Sequence, residues 1–455
     1  MDKAKRPTLI AALDALSRGT QSSMQLLEQC LERIADKSGE GPRTFIRMFE
    51  GQARAAALAW DGMRKAGTPL PALAGMPVSV KDLFDIAGST TLAGSVALRG
   101  APAAQRDALA VARLRAAGAV IPGTTNMTEF AMGGLGINPH YGTPRNPFDR
   151  ARGLIPGGSS SGAAISVTDG MAVAAIGSDT AGSVRMPAAL CGLAGFKPTA
   201  SRIPLDGSIP LATTLDSIGP LAASVADCAL LDAVLAGDPP EPLQPALLAG
   251  LRFAVPQTLV QDDLQAPVQA AFASALSRLS RAGALVTEIA WPELSELGVV
   301  NGRAQGGYAV IEGYAWHRRL LAEKRELYDP IIAARFANGA KASAADYIEL
   351  GAARHDLITR ARATTAAFDA VLMPTVPIVA PPIADLDGDE SRWLATNRLM
   401  IRNPFVANFL DRCALTIPCH EAGSAPVGLT LMGEHLADRR ILAIGMAVEA
   451  LLAGR

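Results

Sequence analysis

The stretch "GGSSSGAAISVTDGMAVAAIGSDTAGSVRMPAA", residues 157–189, constrains this chain more than any other. Two glycine-serine clusters flank a run of small, mostly apolar residues, 162–177, whose only charge is Asp169. Side chains this small let a helix and a strand pack closely, so the run reads as buried core. It falls short of the roughly 18 uncharged apolar residues that a membrane span requires. The flanking serines then pose a choice. They form either a low-complexity linker or the working parts of a catalyst that uses serine without histidine.

The 455 residues are 49% hydrophobic and 19% charged, enough to bury a large core as two or three domains or as one large α/β unit. Lys and Arg number 42 against 43 Asp and Glu, a balance that argues against nucleic acid or a membrane surface as partner. Five cysteines without a CxxC pair are not a disulfide framework, which points to a reducing, cytoplasmic setting. The basic start "MDKAKRPTLIAALDALSRG" offers only about five apolar residues before Asp14, too few for a signal-peptide core.

Residues 8–36 predict two short helices. The second carries Leu26, Leu27, Cys30, Leu31 and Ile34 on one face, behind a Ser22–Gln25 capping box. Residues 45–66 predict another amphipathic helix. Val78 and Val80 alternate in a short strand that delivers Lys81 and Asp82 at its end. A strand-helix-strand order recurs through residue 200 and again over 251–290, which favours a parallel or mixed sheet with helices on its faces. Residues 299–365 read as mostly helical, and 370–383 as a Pro-punctuated strand and loop returning to the sheet. No repeat and no long polar linker divides the chain, so one large α/β unit is expected.

A serine hydroxyl is a poor nucleophile until its proton is removed. None of the five histidines (His140, His317, His355, His420, His435) sits in a glycine turn or beside a strand end with an acidic orienter. Lys81, closing "MPVSVK", is the alternative base: burial would lower its pKa towards a proton-accepting amine. An ion pair with Asp82 or Asp85 is the competing structural reading. In "GSDTAGSVR", small residues before Ser183 let successive N–H groups point into one space, a nest suited to an oxyanion. Pro187 fits the first turn of a helix running to about Leu193. A phosphate-binding loop is the rival reading, but the G-x-x-x-x-G-K-[ST] pattern is missing.

"GMPVSVKD" (75–82), "GGSSSG" (157–162) and "DTAGSVRMPA" (179–188) together resemble the amidase signature family, with Ser159 and Ser183 at that family's spacing. "GTTNMTEFAMG" (123–133), "RNPFD" (145–149), "CGLAGFKPT" (191–199), "TLDSIGPLA" (214–222) and "APVGLTLMG" (425–433) agree with it. The resemblance implies one α/β amidase domain over 1–455, with a mixed central sheet flanked by helices on both faces. Within it lie a signature core at 70–225 and a variable, mostly helical specificity region at 299–365. It implies hydrolysis of a small-molecule carboxamide to a carboxylate and ammonia or amine, with no cofactor and no metal. Carried over by position, Ser183 is the nucleophile of an acyl-enzyme. Ser159 is the bridging serine after a cis peptide at Gly158, and Lys81 is the base. The N–H groups of Thr180, Ala181, Gly182 and Ser183 would form the oxyanion hole. Gly158, Ser160, Asp179 and Arg185 would support the loops, and Ala131, Met132 and Gly133 would line the acyl pocket.

Two positions depart from the family pattern, where glycine is usual at Ser161 and Ala181. Ser161 suits the N-cap of the following helix. The Ala181 methyl costs nothing if its φ is negative and about 1–2 kcal/mol if positive. Specificity is expected from 299–347, from the 134–145 loop and from the strand-loop at 374–382. Residues 408–419 are expected to approach the pocket, with Arg412 either binding a substrate carboxylate or forming a structural ion pair. The expected partner is a small-molecule amide, with a homodimer as the assembly considered. Two alternatives remain: the amidase component of a tRNA-dependent glutamine amidotransferase, which residues 299–330 do not resemble, and a non-catalytic scaffold with the same fold.

Overall fold

The β-branched and aromatic runs of the chain become eleven strands among the described residues, 7–454 of this computed structural model. The basic start, residues 1–6, and Arg455 lie outside the described residues. The strands are β1 (Phe45–Met48), β2 (Val78–Lys81), β3 (Gly123–Thr125), β4 (Ala174–Asp179), β5 (Ala194–Lys197) and β6 (Ser217–Ala222). They continue as β7 (Arg252–Pro256), β8 (Leu285–Ile289), β9 (Ala370–Pro374), β10 (Ala414–Pro418) and β11 (Gly428–Met432). All join one mixed sheet in the order β1-β3-β2-β4-β6-β5-β10-β11-β9-β7-β8. β2 runs parallel to both β3 and β4, as do β7 to β8 and β9, while β4, β6, β5, β10, β11 and β9 pair antiparallel in series.

Strands β2 and β4 are buried along their whole length and lie side by side. A strand enclosed on both faces reads as a continuous apolar run, and Lys81 is the exception at the end of such a run. The small-residue stretch forms the helix Ser161–Thr168 and then β4. Ala163, Ala164, Ile165 and Val167 from that helix pack with Ala175, Leu193 and Leu221. The two serine clusters are thereby fixed at opposite ends of a rigid unit, which disposes of the linker reading.

The helices Leu9–Ser17 and Ser23–Ala35 form as expected, the second with both hydrogen bonds of the Ser22–Gln25 box. Such caps contribute on the order of 1 kcal/mol each. Three local expectations are corrected. Residues 45–66 are not one helix: Phe45–Met48 pairs antiparallel with β3, and the helix begins at Glu50. Tertiary pairing of an aromatic and β-branched run overrides its helical spacing there. Ser160, not Ser161, occupies the N-cap of the Ser161–Thr168 helix, and its side chain makes no capping bond. The helix carrying Pro187 spans Arg185–Cys191 and stops at Gly192, whose φ of 69° no following turn could continue. Among the described residues, no helix is long and apolar enough to cross a membrane.

Candidate active site

At the end of β2 the alternation turns Lys81 into the space between the serine clusters. Its Nζ lies 2.7 Å from Ser159 Oγ and 2.9 Å from Ser178 Oγ. Asp82 and Asp85 take other partners, the Gly94 N–H (3.1 Å) and the Thr91 hydroxyl (2.5 Å), so the ion-pair reading of Lys81 is set aside. Lys81 is fully buried. Desolvation lowers its pKa from 10.5 to about 7, although the negative charges of Asp179 and Asp216 pull it upward. An amine that is largely neutral just above pH 7 beside a serine hydroxyl can take that hydroxyl's proton.

The Gly158–Ser159 peptide is cis. Gly158 must be glycine on packing grounds, since a Cβ there would sit 2.5 Å from the Gly136 nitrogen. The Ser160 N–H donates to the Ser183 carbonyl (3.2 Å), which ties the two clusters together. Beyond β4 the chain folds around the Asp179 carboxylate. That group accepts from the N–H of Gly182 (2.7 Å) and Val184 (3.1 Å), from Arg185 Nε (3.0 Å) and Nη2 (2.9 Å), and from Asn408 Nδ2 (2.9 Å). Burial alone would raise its pKa, but the Arg185 guanidinium outweighs that and holds the carboxyl below the usual carboxylate range. Asp216 clamps the loop from the other side through the Thr180 hydroxyl (2.5 Å).

The four-donor oxyanion set needs one correction. The Gly182 N–H is consumed by Asp179, whereas Thr180, Ala181 and Ser183 line the adjacent cavity. Ala181 is absent from the left-handed residues, so its methyl adds no backbone strain; Gly182, at φ 115°, takes the position that alanine could not. A Cβ on Gly182 would also meet Pro404 at 2.6 Å. Gly182→Ala is therefore expected to lower kcat by about 100-fold or more, as when an oxyanion donor is displaced. Circular dichroism should stay native, and kcat within about threefold of the parent would contradict the loop geometry.

The family model for Amidase matches residues 25–442. The chain belongs to the amidase family. A 2-amino-5-chloromuconic acid deaminase of Comamonas testosteroni is 36% identical over 448 residues, covering 96% of this chain and 94% of that protein. The amidase component of the glutamyl-tRNA(Gln) amidotransferase of Roseiflexus castenholzii is 35% identical, covering 97% of this chain and 95% of its own. A solved amidase superposes with a TM-score of 0.88 at 32% identity, covering 98% of this chain and 99% of that one.

On this amidase fold the cavity over Ser183 measures about 320 Å³. Ala131, Met132 and Gly133 line it, beside Gly134. Phe130 and Ala131 both sit in the left-handed region (φ 50° and 60°), a conformation that surrounding structure must impose. Phe130 is held by a cage of His317, Tyr328 and Phe336. His317 bonds the Tyr328 hydroxyl (2.9 Å) and burial pushes its pKa down to about 3, so it is a neutral packing group.

The 299–347 region contributes Asn301, Gly306, Ala309, Val310 and Arg335 to the cavity. Other expectations are corrected. Of the 134–145 loop only Gly134 reaches this cavity, and residues 379–382 line a separate cleft. Asn408 reaches the back of the Asp179–Arg185 pair instead of the cavity wall. Arg412 is a structural ion: it pairs with Glu434 (2.9 Å) and lies over the Trp291 ring. Sequence reasoning missed the helix Glu390–Phe409, which supplies Asn397, Arg398, Ile401 and Phe405. Its Asn397 accepts the Gly134 N–H at 2.7 Å, fixing the cavity loop. Pro404 inside that helix hides it from a propensity reading. Ser178 and Asp216 were also missed as partners, though both lie within or beside quoted motifs.

Proposed function

We propose that the protein hydrolyses the carboxamide bond of a small molecule through an acyl-enzyme on Ser183, with Ser159 and Lys81 completing the triad. The observation that carries this reading is a buried, near-neutral lysine amine 2.7 Å from Ser159, within one cluster that also holds Ser183 at the cavity floor. Ser183 Oγ attacks the carbonyl carbon while its proton passes to Ser159 and that of Ser159 to Lys81 Nζ. The carbonyl electrons move onto oxygen, where the N–H groups beside Thr180, Ala181 and Ser183 receive the charge. When the C–N bond breaks, Lys81 returns its proton through Ser159 to the departing nitrogen. Water then attacks the ester by the same relay and frees the carboxylate.

The 299–365 region, together with the Glu390–Phe409 helix, sets which amide enters. The protein works in the cytoplasm, and a homodimer is the assembly we favour. Ammonia release from a panel of aliphatic, aryl and urea-type amides tests the reading. Turnover should disappear in Ser183→Ala, and a native protein inert to every amide would count against it. The similarity to the amidase component of an amidotransferase supports a second reading, a glutaminase working with partner chains. Glutamine as the preferred substrate, with co-purifying partner chains, would favour that second reading.

A further inference from the structure

Arg335, on the helix Pro330–Ala337, lines the same cavity as Ser183. Its Nη1 donates to the Met132 carbonyl at 2.5 Å, and its guanidinium lies 5.7 Å from the Trp393 ring centroid. No other hydrogen bond and no ion pair satisfies it among the described residues. Desolvation, with no neighbouring carboxylate to oppose it, pushes its pKa down to about 10, so it stays charged. A desolvated cation without a counter-ion is costly, and proteins almost always pair one. The cavity wall holds no Asp or Glu at all; its remaining polar side chains include Asn301, Asn397 and, at the exposed rim, Arg398. Met186, Leu211, Val310, Ile401 and Phe405 supply an apolar lining between these groups.

We propose that the cavity takes an amide bearing one carboxylate, with Arg335 as the anchor for that carboxylate. The proposal rests on the reading of Ser183 as nucleophile. A guanidinium presents a planar fork that matches a carboxylate in two parallel hydrogen bonds, and the absent counter-ion is then the substrate itself. The same wall disfavours a zwitterion, because an α-ammonium would be buried with no carboxylate to face it. The volume limits the ligand to a small molecule, and its hydrolysis product is a dicarboxylate.

Three amides of one chain length separate the possibilities: glutaramate (anionic), valeramide (neutral) and glutamine (zwitterionic). The native protein should favour glutaramate over valeramide by about 10–100-fold in kcat/KM, the range a charge-assisted contact supplies. Arg335→Gln should shrink that ratio to about threefold or less, and Arg335→Lys, which keeps charge but loses the fork, should fall between. If the glutamine variant does not fold, the lysine variant alone must show the reduced ratio. Native preference for valeramide or glutamine, or a ratio that survives both substitutions, would overturn the proposal. If native protein turns over none of the three, fluorophosphonate labelling of Ser183 decides. Glutaramate must then slow labelling more than valeramide does, and equal protection overturns the carboxylate anchor alone. Native protein that is not labelled overturns the Ser183 reading, and the anchor with it.

Discussion

Replacing Lys81 with methionine is expected to lower kcat/KM on amides by about 10²–10⁴-fold, the contribution of a positioned general base. The same change should make the fold more resistant to denaturant. Both effects come from one fact: the amine is fully buried, and burial lowers its pKa from 10.5 to about 7. Between those two values the unfolded chain binds a proton at Lys81 that the native state does not. Stability therefore rises with pH across that window, and at pH 7 the native state bears the cost of holding a desolvated amine. Methionine has a similar volume and removes that cost. The native rate should climb as pH rises through about 7 and then level off, and this limb should vanish in the variant. Urea midpoints and pH–rate profiles check the prediction. A less stable variant, or an unchanged limb, would show that Lys81 is structural.

The second large effect is expected at Asp179. Asp179→Asn should destabilise the fold by about 3–5 kcal/mol, because it strands a buried cation. Asp179 and Arg185 are both fully buried and joined at 2.9 and 3.0 Å, and Lys197 feels the same carboxylate. One Arg185 nitrogen, Nη1, already lacks a partner, so the guanidinium has little to fall back on. The substitution also carries a chemical signature. Asp179 is the largest influence raising the pKa of Lys81, so its loss should move the midpoint of the pH–rate profile below 7. Urea unfolding and the pH profile read the two effects separately. A stable variant whose midpoint has not moved would refute the coupling.

What was legible in the sequence follows from where the chemistry is local. Lys81, Ser159 and Ser183 were readable because each lies in a short run whose small residues and strand end have few uses. Strands β2 and β4 were readable because their burial leaves near-continuous apolar runs. The Gly182 N–H was misassigned because its partner, Asp179, turns back upon its own loop, a geometry that spacing alone does not specify. Arg412 and Arg335 look alike in sequence, yet one meets Glu434 across 22 positions and the other meets no carboxylate. The Glu390–Phe409 helix reaches the cavity from more than 200 residues beyond Ser183. Only the eleven-stranded sheet, which sets β10 beside β5, brings such distant segments together.

The proposed nucleophile is Ser183, drawing its reactivity from Lys81 through Ser159. The most direct test is the intact mass and the modified peptide after exposure to a fluorophosphonate. A single adduct on Ser183 is predicted, absent from Ser183→Ala and slowed in Lys81→Met. A native protein that remains unmodified, or an adduct on a different residue, would contradict it.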